Sequence, residues 1–272
     1  MASHIAQPAA PRARGRVALS SKMAGGRSVL SGLRQSGALK VVFPRAGHDL
    51  QAILLNTAGG VTGGDRFAFG ADVAAGTRVS LTTQAAERAY RAQPGETGLV
   101  RNTATVGEGG CLHWLPQELI LYSGCAIHRC LRIGLAATAR LLMVEPVVFG
   151  RTAMGETLTA GRFRDRIEVT RAGRPLYRDA LNLSGDIAAK LAHPATARGA
   201  AAMASALYVA PDAGTVLNDV RRHLGDTGGA SLLRPDVLGL RLIAPDSHVL
   251  RQHLLPVLDL LSRSTLPVCW RL

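Results

Sequence analysis

Arg78-Val79-Ser80-Leu81-Thr82-Thr83 sets the period of this chain. Val79, Leu81 and Thr83 alternate with Arg78, Ser80 and Thr82. Successive side chains on a strand point to opposite faces, so the stretch reads as a half-buried strand. Outward from it, short apolar runs recur between glycines. Ala38 to Pro44 and Leu50 to Leu55 precede it; Leu99 to Val106, Cys111 to Leu115, Leu119 to Tyr122, Ile127 to Leu135 and Ala139 to Phe149 follow. Arg162 to Thr170 repeats the alternation more weakly. Runs this short leave helices little room. Gly95-Glu96, Gly107-Glu108-Gly109-Gly110 and Gly173-Arg174-Pro175 supply turns. From about Ser28 to Thr170 the expectation is therefore stacked or sandwiched antiparallel sheet.

The last third changes character. Ala195 to Tyr208 is alanine-dense, Val216, Leu217, Val220 and Leu224 have helical spacing, and Ser247 to Leu261 suits an amphipathic helix behind an Asp246 cap. Two or three helices are expected, with Val237 to Ile243 as a strand returning to the sheet. Residues 1–15, rich in Ala, Pro and Arg, read as a disordered basic arm. Residues 16–272 read as a single domain of the mostly β, α+β class, with many short strands in a layered framework.

The composition is globular, with 47% hydrophobic and 19% charged residues over 272 positions, enough to bury a full core without disulfide staples. No run approaches the roughly 18 apolar residues of a membrane span. Met1 to Arg16 lacks an apolar h-region, so neither export nor membrane insertion is predicted. Cys111, Cys125, Cys130 and Cys269 stand at irregular spacings and read as reduced thiols, which gives a cytoplasmic expectation. The formal charge of +13 comes almost wholly from arginine, lysine occurring only at Lys22, Lys40 and Lys190. An acidic protein partner explains that charge. A nucleic-acid-binding protein is the alternative, although the basic residues are scattered along the sequence without interleaved aromatics.

The densest motif is Asn56-Thr57-Ala58-Gly59-Gly60-Val61-Thr62-Gly63-Gly64-Asp65-Arg66-Phe67, directly after an apolar strand. Gly59 to Gly64 has the spacing of a P-loop. The next two positions hold Asp65 and Arg66 where Lys and Ser or Thr belong, and a carboxylate there repels phosphate. The motif is either a tight loop between strands or a device holding Asp65 at a surface that another molecule meets. Glu87, in Thr82 to Arg91, either pairs with an arginine on a solvated face or is a wet interior carboxylate. In His113-Trp114-Leu115-Pro116-Gln117-Glu118, Trp114 belongs in the core and Glu118 is exposed or paired. Glu145 and Glu156 flank a possible return turn.

Cys111-x-His113 and Cys125-x-x-His128-x-Cys130 gather three thiols and two imidazoles that would suit Zn²⁺ or Ni²⁺, and positions two apart share a strand face. The spacing matches no standard zinc module, and buried cysteine is commonly a small hydrophobe. No G-x-S-x-G, H-E-x-x-H or G-x-G-x-x-G motif is present to start hydrolase or dehydrogenase chemistry.

Taken in order, the glycine loop, Thr82 to Arg91, His113 to Glu118, Glu145, Phe149-Gly150-Arg151, Met154-Gly155-Glu156 and Arg171 to Leu176 resemble the UreD (UreH) family of urease accessory proteins. The resemblance covers roughly Ser28 to Leu183. It implies a helically wound β framework, no catalysis, and a scaffold joining apo-urease to UreF and to the GTPase UreG. It also implies no tightly bound cofactor and transient Ni²⁺ as cargo. On this chain Asp65, Glu87, Glu118, Glu145 and Glu156 would be the oxygen-rich stations of an internal nickel route. The sulfur-rich cluster around Cys125 departs from the family pattern.

Overall fold

A computed structural model describes residues 11–45, 49–151 and 154–271. The strands run β1 (Arg14–Ala24), β2 (Arg27–Gly37), β3 (Leu39–Val42), β4 (Leu50–Asn56), β5 (Arg66–Val73), β6 (Arg78–Thr83), β7 (Glu87–Ala89), β8 (Gly98–Val106) and β9 (Cys111–Leu115). They continue as β10 (Leu119–Leu121), β11 (Cys125–Leu135), β12 (Arg140–Phe149), β13 (Gly161–Arg171) and β14 (Arg174–Ser184). Then come α1 (Ile187–Ala192), β15 (Ala202–Val209), α2 (Ala213–Leu224), β16 (Gly228–Arg234), β17 (Val237–Ala244), α3 (Ser247–Ser262) and a 3-10 turn, Val268–Trp270. Residues 1–10 of the expected arm lie outside the described residues. Arg14 and Gly15 already belong to β1.

Two sheets face each other. A seven-stranded sheet has the order β14-β13-β11-β8-β5-β1-β2, and a ten-stranded sheet the order β16-β17-β15-β12-β9-β6-β4-β3, with β10 beside β12 and β7 beside β10. The chain crosses from one sheet to the other and back, so β4, β6, β9 and β12 stack in parallel on one side. On the other side β5, β8, β11 and β13 do the same. The expectation of an antiparallel sheet is thereby corrected. Antiparallel pairs are confined to the flanks of the winding, as in β1–β2, β3–β4 and β13–β14 and in β12, β15, β17 and β16. The physical reason is that alternation and turn glycines mark where a strand lies and stops, but not which strand lies beside it. A short turn that crosses to the facing sheet returns the chain to its own sheet one rung later, running in the same direction.

The core has two parts. Val79, Leu81, Trp114, Leu131, Ile133 and Val147 fill the space between the sheets. Leu142, Val144, Leu240, Leu254, Leu258 and Trp270 fill the space between the ten-stranded sheet and the helices laid on its outer face. The ten-stranded sheet is thus covered on both sides where the helices lie. Val79, Ser80, Leu81 and Thr82 are all buried, so β6 is not the half-exposed strand that its alternation predicts. β12 is buried without a break from Leu141 to Phe149.

The alanine-dense segment is the other correction, because Ala202–Val209 is a strand. Alanine has the highest helix propensity, but that preference is weak beside tertiary packing. Here Ala202, Ala204 and Ala206 face the helices, where small side chains let helix and sheet approach closely. The remaining expectations for the last third hold: α2 and α3 fall where the apolar spacing puts them, and β17 pairs with β15. The Asp246 side chain accepts the Val249 N–H at 2.8 Å, satisfying one of the unpaired donors at the start of α3. Among the described residues no helix is long and apolar enough to cross a membrane.

Candidate functional site

Between the sheets lies a cavity of about 90 Å³. A single buried water needs only about 10–15 Å³ on this measure, so the space takes several waters or a small solvated ion. Its walls are apolar over much of their extent, from Leu39, Val41 and Leu54 on one side to Phe67, Phe69 and Ile127 on the other. Ionisable groups on the wall are Glu87, Arg129 and Glu145.

Glu87 sits on the short strand β7. One carboxylate oxygen accepts from Asn56 Nδ2 at 3.0 Å, and the other from the backbone N–H of Arg88 at 3.0 Å. Burial raises its pKa above the ordinary carboxylate value, with the Asn56 bond opposing. It lines the cavity half-buried, held by Asn56 and a backbone N–H.

Glu145 is 4% exposed, on β12. Oε1 accepts from Trp114 Nε1 at 2.7 Å. Oε2 lies 2.5 Å from Arg129 Nη1 in a buried ion pair. Arg129 in turn forks onto Asp165, at 3.0 Å from Nε and 2.6 Å from Nη2. Two buried carboxylates share one guanidinium, and burial holds the Glu145 pKa above its usual range. Glu145 and Asp165 also line a smaller cavity on the far side, with Asp179, Ser205 and Arg241.

Sequence reasoning missed Arg129 and Asp165, although their period was available. Arg129 falls on the same face as Ile127, Leu131 and Ile133, and Asp165 on that of Phe163 and Ile167. A charged residue on an apolar strand face is buried, and buried charges are paired.

The other three expected stations are committed elsewhere. Asp65 is buried, and its two oxygens accept the N–H groups of Ala13 at 2.7 Å and Thr62 at 2.8 Å. It clips the entry of β1 to the glycine loop and is not presented at an outer surface. The loop leads into strand β5, where a P-loop would begin a helix. Glu118 accepts from Arg251 Nε at 2.6 Å and fastens α3 to the ten-stranded sheet. Glu156 is held by Arg151 at 3.0 and 3.1 Å, and that pairing lowers its pKa. Arg151 itself lies 4.4 Å from the Tyr122 ring centre.

Gly60 shows why the loop is glycine-rich. Its φ is +159°, and a Cβ there would sit 2.3 Å from Tyr90 Cε2 and 2.7 Å from Arg88 O. Gly59 and Gly64 have φ of +77° and +83°, and a Cβ on Gly63 would lie 2.6 Å from Glu96 Cβ. Gly60→Ala combines backbone strain with collision and is expected to cost at least about 1–3 kcal/mol. Gly59→Ala, with open space around the added carbon, should cost less. Urea unfolding of the two variants checks the order.

The thiol and imidazole cluster is not assembled. Cys111 and His113 are on β9 in the ten-stranded sheet, whereas Cys125, His128 and Cys130 are on β11 in the seven-stranded one. Within β11, Cys125 faces the core and is buried, while His128 and Cys130 take the opposite face. Among the described residues no group of three or more His, Cys, Asp or Glu is placed to hold a metal.

The surroundings disfavour a cation as well. Arg78, Cys111 and Arg140 are register neighbours across β6, β9 and β12, and Arg263 lines the same crevice. Burial and the Arg78 charge push the His113 pKa down to about 4. Burial also raises the Cys111 pKa, and takes that of Cys125 up to about 11. These thiols are neutral and inert at neutral pH.

Residues 13–271 match the family described as UreD urease accessory protein. The chain is 52% identical over 262 residues to the urease accessory protein UreD of Roseobacter denitrificans, covering 96% of each chain. It is 55% identical over 253 residues to that of Ruegeria pomeroyi, covering 93% of this chain and 98% of the relative. With the Mesorhizobium japonicum protein of the same name it shares 42% identity over 275 residues, 99% and 98% of the two chains. A match from the first described strand to the last turn, with near-complete coverage on both sides, means that the chain belongs to the UreD urease accessory protein family.

Proposed function

We propose that this protein is a non-catalytic urease maturation factor that works in the cytoplasm. It joins apo-urease to UreF and UreG and lends its interior to nickel on the way to the urease active site. The observation that carries this reading is the cavity between the sheets, with Glu87 and Glu145 on its wall. Burial penalises the charge of each carboxylate, so an arriving dication offsets a cost the folded protein already bears. Each is a carboxylate oxygen donor on a largely apolar wall, Glu145 sharing its charge with Arg129. Oxygen donors bind divalent nickel more weakly than thiolates or imidazoles, which suits a cargo that must leave again.

Glu87→Gln and Glu145→Gln, singly and together, should lower the nickel content of co-produced urease several-fold. Recovery of the complex with the other urease operon products should be unchanged. Normal nickel loading in the double variant would sink the route. A pH series checks that the variants are folded. A carboxylate whose folded pKa is raised loses stability as pH climbs from its ordinary value through the raised one. Glu87→Gln removes that loss, so at pH 7 the variant should be at least as stable as the parent. The urea midpoint followed from acid to neutral pH reads this directly.

A further inference from the structure

The outer face of the seven-stranded sheet collects arginines that lie far apart in the sequence. Register places Arg14, Arg66, His128 and Arg164 in one row across the strands. The next row on the same face holds Arg16, Arg101 and Arg166, and the one after it Arg34, Arg132 and Arg178. All nine arginines are exposed. Among the described residues the carboxylate within these rows is Glu168, which pairs with Arg132 and Arg166. Seven strands at about 4.8 Å spacing and three rows about 6.6 Å apart make a field roughly 29 Å wide and 13 Å high. Helices α2 and α3 lie instead on the ten-stranded sheet.

We infer that this face docks an acidic protein surface, with the three arginine rows as its recognition element. The inference rests on the scaffold reading above, since it assigns one of the scaffold's contacts to a particular face. Guanidiniums in fixed rows fork onto carboxylates, and a field of one sign steers and orients a partner of the other sign. A nucleic acid fits less well. Between the arginines stand small or aliphatic side chains such as Leu99, Ala68 and Thr103, with His128 and Cys130, so no Phe, Tyr or Trp ring offers a base a stacking platform. The rows lie on strands within a broad sheet, and duplex reading requires a helix or narrow ribbon that enters a groove.

The test measures capture of the co-produced urease operon products by the immobilised full chain, as sodium chloride rises from about 50 to about 500 mM, a range in which exposed charge pairing is screened. Arg101→Glu/Arg166→Glu reverses the middle row. The milder Arg16→Gln/Arg101→Gln guards against misfolding, and Arg222→Glu on α2 is the control. Wild-type and control capture should fall with salt, and the reversed row should weaken low-salt capture at least about tenfold, or about 1.4 kcal/mol. Capture by both row variants equal to the control overturns the inference while leaving the scaffold reading in place. No capture by the wild type at any salt overturns both. Retardation of a duplex DNA by the wild type at about 150 mM salt, abolished by the row variants, would reassign the face to nucleic acid.

Discussion

Arg129→Met is expected to lower the unfolding free energy by about 3–5 kcal/mol, the usual cost of removing one partner from a buried ion pair. Arg129 is 8% exposed and is the shared counter-charge of Glu145 and Asp165. Without it, two carboxylates face each other in an apolar interior. They respond by taking up protons. The deficit must therefore shrink on acidification and grow as pH rises toward neutrality. Arg129→Met combined with Glu145→Gln and Asp165→Asn leaves no unpaired charge and should recover most of the loss. Chemical denaturation of the single and triple variants near pH 5 and pH 7 decides the matter. A single variant within about 1 kcal/mol of the parent at neutral pH would mean that water reaches the site and the pair is not dry.

Trp270→Ala should cost a similar amount, about 3–5 kcal/mol, through a different mechanism. Trp270 is fully buried two residues from the end of the chain, and its Nε1 donates to Leu115 O at 2.9 Å. The Arg251 guanidinium sits 5.3 Å from its ring centre while pairing with Glu118. Truncation opens a cavity under α3, leaves a buried carbonyl without its donor and loosens the arginine that ties helix to sheet. Trp270→Phe keeps most of the volume and loses the hydrogen bond, so its cost should be nearer about 1 kcal/mol. Thermal and urea unfolding followed by circular dichroism separate the two. Equal losses in both would place the weight on the hydrogen bond, not on packing.

The strands were legible because alternation and glycine turns are local properties. Arg78 to Thr83, the Asp246 cap and the helical spacing before Leu224 each stand where their residues put them. Neighbour relations were not legible. Nothing in Arg78 to Thr83 says that β4 and β9 lie beside it, or that α3 and the Trp270 turn cover part of the outer face of the same sheet. The same gap explains the site. Glu87 and Glu145 reach one cavity because β7 and β12 both flank β10, a relation that no spacing encodes. Asp65, Glu118 and Glu156 carry equally acidic side chains, but none of them lines that cavity. Arginines that look scattered along the chain become rows once successive rungs bring every second residue into register.

A coil of parallel strands has two open ends, each a template on which another chain could add a rung and begin a fibre. In the seven-stranded sheet the hairpins β1–β2 and β13–β14 close those ends, because each turns the final strand back against the direction of growth. The edge strand β2 also carries Arg27, Ser31, Arg34, Gln35 and Ser36. Charge and reversed polarity together end the parallel winding on both flanks of this sheet.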